Sequence, residues 1–307
     1  MNKIILGSDI DRVKWDSLVE KYQGPGQFFH FSWYLDAVCP AWMAFVHGDY
    51  EAIFPIVSQS KYSLSLFVQP IFTREFNVIG EPSSLATISE LTRELLGHRF
   101  VYFGSSTDFR QSDWKVSSRK YQGVQLGMKY DVLYKNYSQN IKRTLKKAKE
   151  CELEIKELDD PLALIELFRN EKGKLFKHLG KKEYDAIHQL MINGKEARCA
   201  HQLSAYLDGE LIASSFYFRT ATSILFLKGA VNEKGKAIGA MVALHNHVLE
   251  SHCESHDYFD FGGSDDKGLR EFNLKFGAID VNYLLLSSNR IPWPLKSWVD
   301  KKYHINA

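Results

Sequence analysis

The stretch YFDFGGSDDKGLREFNLKFGA, residues 258–278, decides how the rest of the chain is read. It begins as a β-strand ending at Phe261, and Gly262-Gly263 then allow a tight turn. A short helix follows over 266–277, its acidic start suiting the positive end of the helix dipole. Leu269, Phe272 and Phe276 are spaced as a buried stripe, and Gly277 is a stop signal. The acids do not make a calcium loop, because no D-x-D-x-D-G run exists and the glycine lies at the wrong offset.

Reading outward, KAIGAMVALHNHVLESHC (236–253) predicts a long helix and SILFLKGAV (223–231) a strand. CAHQLSAYLDGELIASSFYFRT (199–220) alternates about an Asp-Gly turn, a strong hairpin signal. Upstream, 134–151 reads as a helix capped by Ser138, 161–176 as a helix opened by Pro161, and 181–194 as one ending at Gly194. DVNYLLLS (280–287) is a final strand. Helices, three strands, helix, strand, helix, strand is the order of a mixed α/β (α+β) sheet with helices on its faces. The first half has a shorter version. It contains a hairpin over 41–59 with Pro55 making its second strand edge-like, a strand at 63–72, a helix at 84–96, and strands at 99–104 and 121–126. Residues 106–120 read as a loop. Two domains are expected, 1–128 and 129–307, related by duplication.

The chain has 307 residues, 45% hydrophobic and 25% charged, which suits an ordinary globular protein. A net charge of +2 argues against a general DNA binder. No apolar run approaches a membrane span, and Asp9 and Asp11 interrupt any signal-peptide core, so the expectation is cytoplasmic with no integral membrane association. Cys39, Cys151, Cys199 and Cys253 lie far apart without a CxxC pair, which favours reduced thiols. His245, His247, His252, Cys253 and His256 match no zinc spacing, so no metal is expected.

Three stretches together resemble the GNAT acyltransferase superfamily, and within it the tandem-GNAT group containing the FemA/FemB/FemX aminoacyltransferases. They are YSQNIKRTLKKAKECELEI (137–155), KGAVNEKGKAIGAMVALHNHVLESH (228–252) and YFDFGGSDDKGLREFNLKFGA (258–278), the last resembling a "DFGG…F…KFG" ending. The resemblance implies an acyl-CoA N-acyltransferase (GNAT-like) fold, duplicated in tandem, with a degenerate first copy. It also implies acyl transfer to an amine, the donor being a CoA thioester in ordinary members and an aminoacyl-tRNA in the FemX branch. The helical arm of the peptidoglycan-building members has no counterpart in 156–198, which turns the reading towards acyl-CoA or acetyl-CoA as co-substrate. The acceptor is expected to be an amine of a small molecule, amino sugar or peptide, such as a cell-envelope precursor. A FemX-like tRNA-dependent aminoacyltransferase and a non-catalytic scaffold are the alternatives.

The turn 232–240 between strand and helix would present backbone amides to a pyrophosphate, with Gly235, Lys236, Ala237, Ile238, Gly239 and Ala240 as its contacts. Asn232 stands where the GNAT segment Arg/Gln-x-x-Gly-x-Gly/Ala begins, a departure from the pattern. Arg143, Lys146 and Lys147 on the basic helix are candidates for phosphates of the substrate, and the family places an arginine in this helix. Direct transfer needs a proton acceptor and no covalent nucleophile. Asp260 and Asp265 are the candidate bases and Tyr283 a candidate proton donor.

Overall fold

The computed structural model describes residues 2–22, 24, 26–61, 64–80, 85–107, 109, 114–171, 173, 179–263 and 266–303. The chain divides into two compact units, Met1–Arg119 with Asn282–Ala307, and Lys120–Val281. The C-terminal segment thus returns to the first unit, which a linear division at residue 128 does not contain. Strand pairing between residues nearly 200 apart leaves no trace in local periodicity.

In the first unit, β1 (Asn2–Leu6) leads to α1 (Arg12–Lys21) and α2 (Ser32–Val38), then to β2 (Met43–His47) and β3 (Ala52–Ile56). These are followed by β4 (Ser58–Lys61), β5 (Leu64–Val68), β6 (Ile79–Gly80), α3 (Leu85–Leu96) and β7 (Phe100–Ser105). One antiparallel sheet has the order β1-β2-β3-β6. β6 reaches only Ala52 and Ile53, so Pro55 sits where β3 is in effect an edge. In the other sheet β4 pairs β5 antiparallel and β5 pairs β7 in parallel. Trp15, Trp42, Phe54, Phe67 and Phe103 are fully or almost fully buried here.

β8 (Lys115–Gln125) passes from the first unit into the second. Its first half lies in the span expected to be a loop. Its first six residues are all exposed or half-buried, and a strand whose side chains meet water on both faces lacks the apolar signal on which the sequence reading relies. The expected helix over 134–151 is two helices, α4 (Tyr130–Lys135) and α5 (Gln139–Glu150), because Ser138 accepts a hydrogen bond from the Ile141 amide and starts a new helix. Then come β9 (Glu154–Glu157), α6 (Pro161–Glu171), α7 (Lys181–Glu196), β10 (Ala200–Leu207), β11 (Glu210–Arg219) and β12 (Ser223–Val231). The chain closes with α8 (Glu233–Ile238), α9 (Ala240–His252), β13 (Tyr258–Asp260), α10 (Lys267–Leu274), β14 (Ile279–Asn289) and α11 (Leu295–Lys302). The last residues of β14 pair with β7 in the first unit.

The second unit's sheet runs β8-β13-β12-β11-β10-β9, with β12 and β13 its parallel pair. Side chains alternate across β11: Tyr217 joins the core under α9, whereas Phe216 and Phe218 face the other side, with Gly194 of α7 against Phe218. The core under α9 gathers Ile141, Leu244, Val248, Leu249, Phe259, Phe261 and Phe276. On α10 the buried positions differ from the expected stripe. Phe276 is fully buried and Asn273 nearly so, with its amide donating to Gln122 Oε1 (3.3 Å), but Leu269 is 37% exposed. Asn273, near the end of the helix, finds a partner on the sheet, whereas Leu269, one turn earlier near the helix start, is left partly in solvent.

Candidate active site

The sheet opens beside β12. β13 pairs it only from Ser223 to Leu225, opposite Tyr258 to Asp260. Burial follows the pairing: Ile224 and Leu225 are buried, whereas Phe226 to Gly229 are half-buried. At Gly262, φ is +90°, and an added Cβ would stand 2.8 Å from the Phe226 carbonyl oxygen. The Gly262-Gly263 turn therefore marks where the two strands part. β12 also carries a bulge, since Phe226 is opposite Tyr217 and Lys228 opposite Phe216, leaving Leu227 over. A bulge releases backbone groups from the ladder and re-aims them. Polar backbone without a neighbouring strand is what a substrate carbonyl can use.

Below the opening, His245 of α9 is ringed edge-on by Phe226, Phe261 and Phe276, with Phe272 tilted against it. Its Nδ1 lies 3.1 Å from the Tyr217 hydroxyl. Burial pushes the imidazole down to about 3 and raises the Tyr217 phenol, so both are neutral. Periodicity marks His245 as one of several helix histidines and says nothing of this cage.

Asp260 lies at the foot of the opening, 7% exposed, with Oδ1 accepting from the Gly262 amide at 2.7 Å. Asp265 lies outside the described residues. Its neighbour Asp266 caps α10 by accepting from the Leu269 amide at 2.7 Å, so its carboxylate is occupied with the helix start. Tyr283 is half-buried on β14 and belongs to the first unit, its ring against Gly104. Asp280 binds Arg270 through Nε at 2.9 Å and accepts from Gln122 at 3.1 Å. The Arg270 guanidinium holds that carboxyl well below the usual range, so it is a fixed anion and not a proton acceptor.

The turn after β12 differs from an open amide cradle. Residues 236–253 are not one helix. Gly239 breaks them with φ +79°, and α8 and α9 lie on either side. The Gly235 amide donates to Asn232 Oδ1 (2.9 Å), the Lys236 amide to Asn232 O (2.9 Å) and the Gly239 amide to Lys236 O (3.3 Å). Ala237 and Ile238 lie inside α8. α9 starts at Ala240, and its ladder begins with the Ala243 amide on Gly239 O (3.0 Å). Gly239 offers no side chain as a cap, so the first-turn amides of Ala240 to Val242 lie outside that ladder. Ala240 is fully buried and Val242 nearly so. Removing the Asn232 side chain should destabilise the protein by about 1 kcal/mol, as loss of a helix cap does; urea denaturation of Asn232→Ala measures it.

Charged side chains at the turn are engaged. Lys234 pairs with Glu210, and Lys236 with Glu233 and, at 4.0 Å, Glu171. Lys147 donates to the Ala237 carbonyl (2.8 Å), capping the end of α8, so it is a structural contact of the turn. Lys146 stands 3.9 Å from Glu150, one helical turn on. Arg143 is exposed and makes no ion pair among the described residues. α5 packs so closely on Gly239 that a methyl there would stand 2.0 Å from Thr144 Cγ2. Among the candidates, the structure thus gathers Arg143, Lys146 and Lys147 on one helix beside 235–240, with Asp260 at the foot of the same unit's opening.

Residues 135–271 match the family described as an acetyltransferase (GNAT) domain. No curated protein sequence matches the chain. Among solved structures, a crystal structure of FemX aligns over 97% of this chain and 100% of its own, with a TM-score of 0.71 at 10% identity. L-PGS from Bacillus licheniformis aligns over 96% of both chains at a TM-score of 0.59 and 13% identity. The C-terminal domain of a putative lysylphosphatidylglycerol synthetase from Agrobacterium fabrum aligns over 95% of both, at 0.60 and 12%. At such identities the likeness is one of fold.

Proposed function

We propose that this chain, whose residues 135–271 match an acetyltransferase (GNAT) domain and whose fold is like that of FemX, moves an aminoacyl group from an aminoacyl-tRNA to an amine. The observation that carries this reading is the closed turn. Gly235, Lys236 and Gly239 spend their amides within α8, and Thr144 fills the side of Gly239, so the pyrophosphate of CoA loses these three donors. The FemX and L-PGS folds favour the tRNA donor over acyl-CoA. The exposed cations Arg143, Lys146 and Lys149 of α5 suit a phosphate backbone. The acetyltransferase family description and the unladdered start of α9 favour the second reading, an acyl-CoA donor.

In either case the acceptor nitrogen attacks the donor carbonyl carbon. The ester or thioester C–O or C–S bond breaks after the tetrahedral intermediate, and the leaving group takes a proton. The bulged backbone around Leu227 would receive the oxyanion. Asp260 would take the proton from the attacking ammonium, directly or through water. The acceptor is an amine of a small molecule, amino sugar or peptide, a cell-envelope precursor among them. Asp260→Asn keeps an oxygen to accept the Gly262 amide, so the fold should hold while kcat falls about 100-fold or more. Unchanged kcat removes Asp260 from the chemistry. The donor is tested by incubating the protein with labelled aminoacyl-tRNA, or with labelled acetyl-CoA, and a panel of amines. Label should move from tRNA; movement from acetyl-CoA alone overturns the donor assignment.

A further inference from the structure

The chain has six tryptophans, and those of the fold's interior are well covered: Trp15 is 0%, Trp42 1% and Trp114 7% exposed. Two near the C-terminus are the reverse, Trp293 at 81% and Trp298 at 57%, with Leu295 between them at 46%. Large apolar side chains left this open are a feature to be explained. They are not needed to hold α11 in place. Val299 and Ile291 are buried against Phe100, and the Tyr303 ring lies 5.0 Å from Phe100 and 4.9 Å from Tyr102. The helix is therefore anchored by one face, and Leu295, Trp298 and Lys302, spaced three and four residues apart, share another side.

Basic residues predominate around these aromatics. Lys296, Lys301 and Lys302 are exposed, and Lys296 and Lys301 make no ion pair among the described residues. Lys302 Nζ sits 5.5 Å from the Trp298 ring centroid and 5.2 Å from that of Tyr303. The helix's acid, Asp300, accepts from Asn289 Nδ2 at 2.8 Å. Indole rings and lysines side by side on a short fixed helix and the residues just before it match an interface that is apolar below and anionic above. No helix among the described residues is long and apolar enough to cross a membrane.

We infer that residues 293–302 form a peripheral docking surface for an anionic phospholipid bilayer, with Trp293, Leu295 and Trp298 entering the headgroup boundary and Lys296, Lys301 and Lys302 meeting the lipid phosphates. Indoles favour this depth because the ring is apolar and its N–H still finds water or carbonyl partners. Each lysine near such a surface adds electrostatic attraction, so three lysines and two indoles give reversible binding that salt weakens. This inference stands apart from the donor assignment and holds whichever donor is used.

The test is flotation of the full chain with vesicles of phosphatidylcholine alone or mixed with phosphatidylglycerol. The protein should float with the mixed vesicles, and partitioning should fall about tenfold or more in Trp293→Ser/Trp298→Ser and in Lys296→Glu/Lys301→Glu. These side chains are exposed, and far-UV circular dichroism should show both variants folded. On the unaltered protein, tryptophan emission should shift to the blue with mixed vesicles and be quenched by brominated lipid. Absence of flotation and of quenching overturns the inference. Equal flotation of the variants and the parent also overturns it, as does a concentration-dependent dimer that Trp298→Ser abolishes, which would make the patch a contact between copies.

Discussion

Acid should destabilise this protein strongly before its carboxylates are titrated. His30 is completely buried, its Nδ1 directed at the Gly26 carbonyl (2.9 Å) and its Nε2 accepting the Asn77 amide (2.7 Å). Burial pushes it down to about 4, and His245 in its aromatic cage to about 3. Both folded values lie below the unfolded value of 6.5. The unfolded chain therefore binds more protons across the interval between them, and stability rises with pH there. The stabilisation is complete above about 6.5 and is lost as pH falls towards the folded values. Near pH 5 the loss is about 2 kcal/mol for each histidine, or about 4 kcal/mol together, against a usual total of about 5–15 kcal/mol. Urea midpoints near pH 7.5 and pH 5 measure it. A flat profile would mean that neither ring is buried neutral. His245→Phe should flatten part of the slope, the rest coming from His30 and from His252, which is also pushed down to about 4.

Gly239→Val should be the most damaging change at the turn. The position has φ +79°, which costs a branched residue about 1–2 kcal/mol, and the new side chain would also strike Thr144. α5 would have to move, taking with it the Lys147 contact to Ala237 and the exposed cations beside it. Transfer should fall about 100-fold or more, since misplacement of about 1 Å has that effect. Thr144→Gly in the same chain relieves the collision but not the backbone conformation, so it should restore part of the loss. A Gly239→Val protein with parental stability and turnover would show that the turn bears on neither.

Much of the second unit was legible in the sequence. The Asp-Gly hairpin, the alternation over 199–231, and the glycine stop after 258–276 each have a local physical cause, and each element formed where its residues indicated. The break at Gly239 was also written there, as a glycine inside a helical pattern, but a neighbouring Gly235 and a run of helix formers masked it. What stayed hidden depends on distant partners. The opening between β12 and β13 arises because β13 is short, and no pattern within β12 announces it. Whether an amide in 235–240 is free depends on Asn232 folding back as a cap. The roles of Lys147 and Asn273 were set by Ala237 and Gln122, distant residues which periodicity cannot pair with them. β1, α1 and α2 carry only weak patterns, and α11 combines an exposed Trp298 with a single buried valine.

The most direct measurement is the affinity of the purified chain for the two donors side by side, by filter binding for aminoacyl-tRNA and calorimetry for acetyl-CoA. Binding to tRNA should weaken steeply with salt and fall about tenfold in Arg143→Glu/Lys149→Glu, with no heat from acetyl-CoA. Saturable acetyl-CoA binding with none to tRNA would contradict the closed turn as the reason for the donor.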